Sequence, residues 1–238
     1  MIGSRTTIAS VRWVINMKRI LLLFLAVLMT VALVSCDKDG VVDGEATPHG
    51  FKNPETGIEY VRCIEKGLYA HSKGAEYIKV DNETYFAVKF ENPEEFLCIE
   101  DSGELLLYRA KDFKEPNVSE FKPIAAEIYN ATNTILITNF YADNKYLPDD
   151  KKELNPTEDS YLCEMIAKQL TEGEAVTLNL TYEDLSDQYF IRLLSQEYPG
   201  LYYLVVFYGF DGRYYLYDRA AGKTVLCPYD VIVRMAGE

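Results

Sequence analysis

Short runs rich in Tyr, Val, Ile and Phe recur through the first half of the chain, at residues 58–65, 75–80, 84–90, 96–100 and 104–110. Their length and apolar alternation are those of half-buried strands. Asp81-Asn82, Asn92-Pro93 and Ser102-Gly103 stand between them and supply turn conformations. The pattern predicts an antiparallel meander.

The second half mixes periods. Residues 133–141, 175–181 and 201–210 read as strands. Between them, Asn155, Pro156 and Glu158 have the composition of a capped helix start, and Leu162, Met165, Ile166 and Leu170 then share one face until Gly173. A second helix is predicted from near Thr181, with Leu185, Tyr189, Phe190, Leu193 and Leu194 on its apolar side and Pro199-Gly200 as its stop. The loop at 143–157 is the candidate mobile excursion or subdomain boundary. A last strand is predicted over 224–233, after the Ala221-Gly222 turn. The expected fold class is α+β, a largely antiparallel sheet with two helices from the second half packed on it. Residues 58–238 form the expected globular domain.

The strongest local signal is Asp211-Gly212 between two aromatic runs, because a two-residue type I′ turn needs positive φ at both positions. That turn fixes the register: Phe210 opposite Arg213, Tyr208 opposite Tyr215, Val206 opposite Tyr217 and Phe207 opposite Leu216. Both faces of the hairpin are then aromatic. One face suffices for a core, so Tyr208, Phe210, Tyr215 and Tyr217 are the candidate ligand or partner surface. The competing reading covers both faces with protein and leaves Tyr as a good strand former. The region after residue 35 has no Trp, which weakens the sugar-stacking version.

Upstream of all this, Lys18-Arg19 precedes an apolar run from Ile20 to Val34 in which Thr30 is the polar exception. Fifteen residues are too few to span a bilayer comfortably, where about 20 are needed, but they suit the h-region of a secretion signal. Leu33-Val34-Ser35-Cys36 follows, and this resembles the lipobox of bacterial lipoproteins. The resemblance implies that Cys36 is diacylated and becomes the mature N-terminus; an ordinary cleaved signal and an uncleaved anchor helix are the alternatives. Residues 1–16 have no signal character, so Met17 is the expected start, 17–35 the signal peptide and 36–57 a flexible tether rich in Gly, Asp and Pro. The acids in Cys36-Asp37-Lys38-Asp39-Gly40 resemble, in shorter form, the surface-export tags of Bacteroidota lipoproteins. Attachment to the outer membrane with display on the cell surface is the implied location, with the periplasmic face as alternative.

Charge narrows the partners. Residues 1–35 hold Arg5, Arg12, Lys18 and Arg19 and no acid, so removing them takes 24 basic residues to 20 against 37 acids, a net charge of −17. Such a surface repels phosphate backbones and anionic headgroups, and nucleic acid is excluded as a partner class. Apart from Cys36, the cysteines are Cys63, Cys98, Cys163 and Cys227. Their apolar neighbours suit buried thiols, and an even number in an exported chain equally permits two disulfides. No zinc-type spacing occurs, and Asp37-Lys38-Asp39-Gly40 lacks the closing acid of a calcium loop.

Catalytic signatures are sparse. G-x-S-x-G, P-loop, dinucleotide-binding and H-E-x-x-H patterns are missing, so no cofactor is implied. Of the two histidines, His49 lies in the predicted tether and His71 in a predicted turn. Carboxylate pairs alone suffice for glycoside hydrolysis, and Asp149, Asp150, Glu153, Glu158 and Asp159 cluster, as do Glu183, Asp184 and Asp187. At helix starts, however, the macrodipole favours acids without any catalysis. Three functions remain: a lipid-anchored binding or assembly module for an envelope glycan or protein, a surface carboxylate hydrolase, and a structural envelope component without a ligand.

Overall fold

Two antiparallel sheets dominate the computed structural model, which describes residues 41–63, 67–102, 104–141, 161–178 and 186–236. The strands of the first half are β1 (Val42–Asp43), β2 (Glu45–Thr47), β3 (Gly50–Lys52), β4 (Glu59–Arg62), β5 (Leu68–Ala70), β6 (Lys73–Val80), β7 (Glu83–Val88), β8 (Phe96–Asp101) and β9 (Glu104–Ala110). All but β5 form one sheet in the order β1-β6-β7-β8-β9-β4-β3-β2, antiparallel except for the β1–β6 pair.

The two edges of that sheet are consecutive in the chain. Only Gly44 separates β1 from β2, so one bent segment occupies both edges and curls the sheet into a closed ring. Closure removes the exposed edges that invite aggregation. Gly44 N–H donates to the Lys79 carbonyl at 2.6 Å. A Cβ there would lie 2.7 Å from Ile78 Cδ1, which explains glycine at the bend. The ring's interior holds Phe51, Tyr60, Ile78, Val80, Tyr85 and Leu97. Strand alternation turns Phe96, Cys98 and Leu107 outward, into a second core shared with the rest of the protein.

The second sheet contains β10 (Pro123–Tyr129), β11 (Leu136–Tyr141), β12 (Ser186–Ser195), β13 (Leu201–Phe210), β14 (Arg213–Asp218) and β15 (Lys223–Leu226), in the order β11-β10-β12-β13-β14-β15. The short β5 leaves the first-half strands to pair with Leu201, Tyr202 and Tyr203 of β13, just beyond the stretch that β14 occupies. The described helices are α1 (Val118–Phe121), α2 (Tyr161–Glu172) and α3 (Tyr229–Ala236). Asn117 and Glu120 close α1 with a reciprocal capping box. Leu162, Cys163, Ile166, Ala167 and Leu170 of α2 are buried in the shared core, where they meet residues of both sheets.

The α+β class with a largely antiparallel sheet holds, and so do the first-half strands and the first helix's apolar face. Four local expectations need correction. The second predicted helix is strand β12, because its apolar residues also alternate: Ile191 and Leu193 enter the shared core while Phe190 and Leu194 face the other side. Pairing on both edges satisfies its backbone, which a partly apolar helix on the surface could not improve. The predicted strand at 224–233 stops at Leu226, since Pro228 lacks an N–H, and the chain continues as α3. Of the predicted strand 175–181, residues 175–178 form no strand and residues 179–181 lie outside the described residues. The predicted tether is shorter than 36–57, because residues from Val42 to Lys52 are strands of the first sheet. The predicted loop 143–157, with the cap at Asn155 and Pro156, lies outside the described residues.

Candidate functional site

The second sheet has one face in the shared core, carrying Ile191, Leu193, Tyr203, Val205, Phe207 and Leu216. Its opposite face follows by alternation and carries the candidate aromatic residues. Hairpin β13–β14 has the register the turn dictates: Tyr208 pairs with Tyr215, Val206 with Tyr217 and Phe210 with Arg213. Asp211 and Gly212 have φ of 48° and 69°, as a type I′ turn requires.

Within that face the four candidates separate. The Tyr208 and Tyr215 rings stack at 5.7 Å and are only 5% and 4% exposed, so they form a floor. Val176 and Leu178 pack against them, which accounts for part of the cover the competing reading required. Tyr217 and Phe210 are half-buried and remain partly open.

Two cavities lie along this face. One of about 360 Å³ is bounded by Gln188, Phe190, Tyr208, Tyr217, Arg219 and Thr224. The other, of about 540 Å³, is bounded by Tyr69, Phe190, Arg192, Tyr202, Leu204 and Arg219. Residues 104–106 at the start of β9, His71 and the 131–134 turn complete its wall. Phe190 and Arg219 belong to both, so the cavities are two compartments of one groove.

Arg192 is held rigidly in the larger compartment. Its guanidinium lies 3.8 Å from the Tyr129 ring centroid and 4.7 Å from that of Tyr202, between two π faces. Its Nε and Nη2 donate to Oδ1 and the carbonyl of Asn133, both at 2.9 Å. Tyr202 also stacks on Tyr69 at 5.3 Å. Burial pushes the Tyr202 phenol up to about 12, against the opposing influence of Arg192. Burial, with Glu127 adding to it, likewise pushes Tyr129 up to about 12. Both phenols therefore stay neutral in any physiological medium, and the Tyr129 hydroxyl donates to Glu127 Oε2 at 3.2 Å. The sequence pattern pointed to the hairpin but missed Phe190, Arg192 and Arg219; alternation along β12 would have found the first two.

Other candidates fare differently. Cys36, residues 37–40 and the acids Asp149, Asp150, Glu153, Glu158, Asp159, Glu183 and Asp184 lie outside the described residues. Asp187, the second residue of β12, has φ of 50° and accepts from the Tyr214 hydroxyl at 3.5 Å. Among the described residues no three His, Cys, Asp or Glu side chains converge as metal ligands, and no helix is long and apolar enough to cross a membrane. No disulfide joins any two of Cys63, Cys98, Cys163 and Cys227.

No protein-family model matches this chain, and neither a curated protein nor a solved structure matches it.

Proposed function

We propose that this chain is a lipid-anchored protein of the outer cell envelope that works as a binding module, seating its ligand in the groove on the open face of the second sheet. The observation that carries the reading is the groove itself: two adjoining compartments floored by aromatic rings, with the polar ends of Arg192, Gln188 and Thr224 at their walls. The smaller compartment is mostly apolar with a few placed polar groups, the usual form of small-ligand sites, while the larger is mixed in polarity. The basic doublet, short apolar run and Leu33-Val34-Ser35-Cys36 support the anchor, and two acyl chains suffice for stable attachment.

The test uses the lipidated protein in detergent micelles on a glycan array, beside Phe190→Ala and Tyr217→Ala variants. These two rings are half-buried, so truncation opens the groove without emptying a core. Retention of a defined glycan, lost in both variants, supports the reading; no retention, or retention indifferent to both, refutes it. For the anchor, palmitate incorporation is expected in the unaltered chain and not in Cys36→Ala, and protease treatment of intact cells is expected to digest the domain.

A further inference from the structure

Arg219 stands where the two compartments meet, and it is half-buried. Several basic side chains of this acidic protein pair with glutamates: Arg109 with Glu115 at 2.6 Å, Lys111 with Glu59 at 2.9 Å and Lys114 with Glu120 at 3.1 Å. Arg219 has no hydrogen bond or ion pair with any described residue. The neighbouring Asp218 does not pair with it, because it is buried and accepts from the Tyr203 hydroxyl at 2.8 Å and from Ala221 N–H at 3.1 Å. Among the described lining residues the fixed cations are Arg192 and Arg219, and the acid is the exposed Glu104. Among the described lining residues the groove is thus locally cationic, on a strongly anionic protein.

We infer that the groove takes an acidic glycan, with Arg219 pairing the carboxylate of a uronate and the half-buried Phe190 and Tyr217 rings flanking its pyranose. A guanidinium matches a carboxylate through two parallel N–H donors, and aromatic faces with short amides and hydroxyls beside them suit the mixed apolar and hydroxylated surface of a sugar. The net charge of −17 set out above for residues from Cys36 onward opposes a dense polyanion at long range. Sparse carboxylates on an otherwise neutral chain avoid that repulsion, which screening confines to about 10 Å. The inference rests on the binding-module reading and names its ligand class.

Calorimetric titration of the lipidated protein in micelles tests it, with a xylose oligosaccharide bearing a single glucuronate, the methyl ester of the same compound, and an oligoglutamate peptide. The acid is expected to bind at least about tenfold more tightly than its ester, and both more tightly than the peptide. Arg219→Gln is expected to erase the difference between acid and ester, Arg219→Lys to keep part of it, and the melting temperature of each to stay at the parent value because no intramolecular partner is lost. Equal binding of acid and ester, an undiminished preference in Arg219→Gln, or tighter binding of the peptide overturns the acidic-glycan assignment. Equal binding that Tyr217→Ala abolishes would leave the binding module standing, whereas no binding here and none on the array removes both.

Discussion

The carboxyl of Glu91 makes the stability of this protein depend on pH in a direction opposite to that of a salt-bridged acid. Glu91 follows β7, and its Oε1 accepts the Gly200 N–H at 2.8 Å, which ties the first-half strands to the start of β13. The contact is close: a Cβ on Gly200 would lie 2.2 Å from the Lys89 carbonyl oxygen. Burial, with nearby Glu95 adding to it and the Gly200 N–H opposing it, pushes the Glu91 carboxyl from 4.5 up to about 7. A raised acid binds its proton more tightly in the folded state than in the unfolded chain. Its contribution is therefore complete below about pH 4.5 and is lost as pH rises to about 7. The full shift corresponds to roughly 3 kcal/mol, and partial solvation of a half-buried group halves this to about 1.5 kcal/mol. Glu91→Gln keeps the oxygen that accepts from Gly200 and removes the charge. The variant is expected to match the parent at pH 4 and to exceed it at pH 8 by about 1.5 kcal/mol, or about 3 to 6 °C in melting temperature. Chemical denaturation of both proteins across that range measures the difference directly, and other titrating groups cancel in it. A gap that does not change with pH, or a variant less stable at pH 8, would refute the reasoning.

Three further outcomes are expected. Tyr203→Phe removes the hydroxyl that meets both oxygens of the buried Asp218, at 2.8 and 3.0 Å, and should cost about 2 kcal/mol in denaturant unfolding; a loss under 0.5 kcal/mol would mean that Asp218 has other support. Gly50→Ala would place a Cβ 1.9 Å from the Tyr60 carbonyl oxygen, against backbone that cannot rotate away, and should destabilise the ring by about 3 kcal/mol. Thiol labelling of the native protein should reach the half-buried Cys63 first. Burial raises the thiols of Cys163 and Cys227 and lifts Cys98 to about 11, so these three should label only after unfolding, and fewer than four reactive thiols in denaturant would mean that a disulfide joins two of the four.

Local chemistry was legible wherever a short segment decided its own structure. The Asp211-Gly212 turn set a register that the β13–β14 pairs follow residue by residue, and the spacing of Leu162, Ile166 and Leu170 identified the buried face of α2. Where a segment was apolar on both sides, the sequence left helix and strand open. Residues 189–194 satisfy either period, and only their position between β10 and β13 makes them a central strand. The short strands β1 to β3 were illegible for another reason: three residues or fewer carry no period, and they are strands because Gly44 lets one segment close a ring.

The same division runs through the candidate site. By itself the sequence determined the acidic balance, the lipobox resemblance at Cys36 and the aromatic character of both hairpin faces, since each depends on neighbours along the chain. Which rings are floor and which are open was decided by tertiary structure: Val176 and Leu178 pack against Tyr208 and Tyr215, while Tyr217 stays half-buried. Tertiary structure also brought Tyr69 of β5, Arg192 of β12 and Arg219 after β14 to one groove. Residues 150 positions apart meet there because strand pairing, not sequence proximity, sets which side chains share a face.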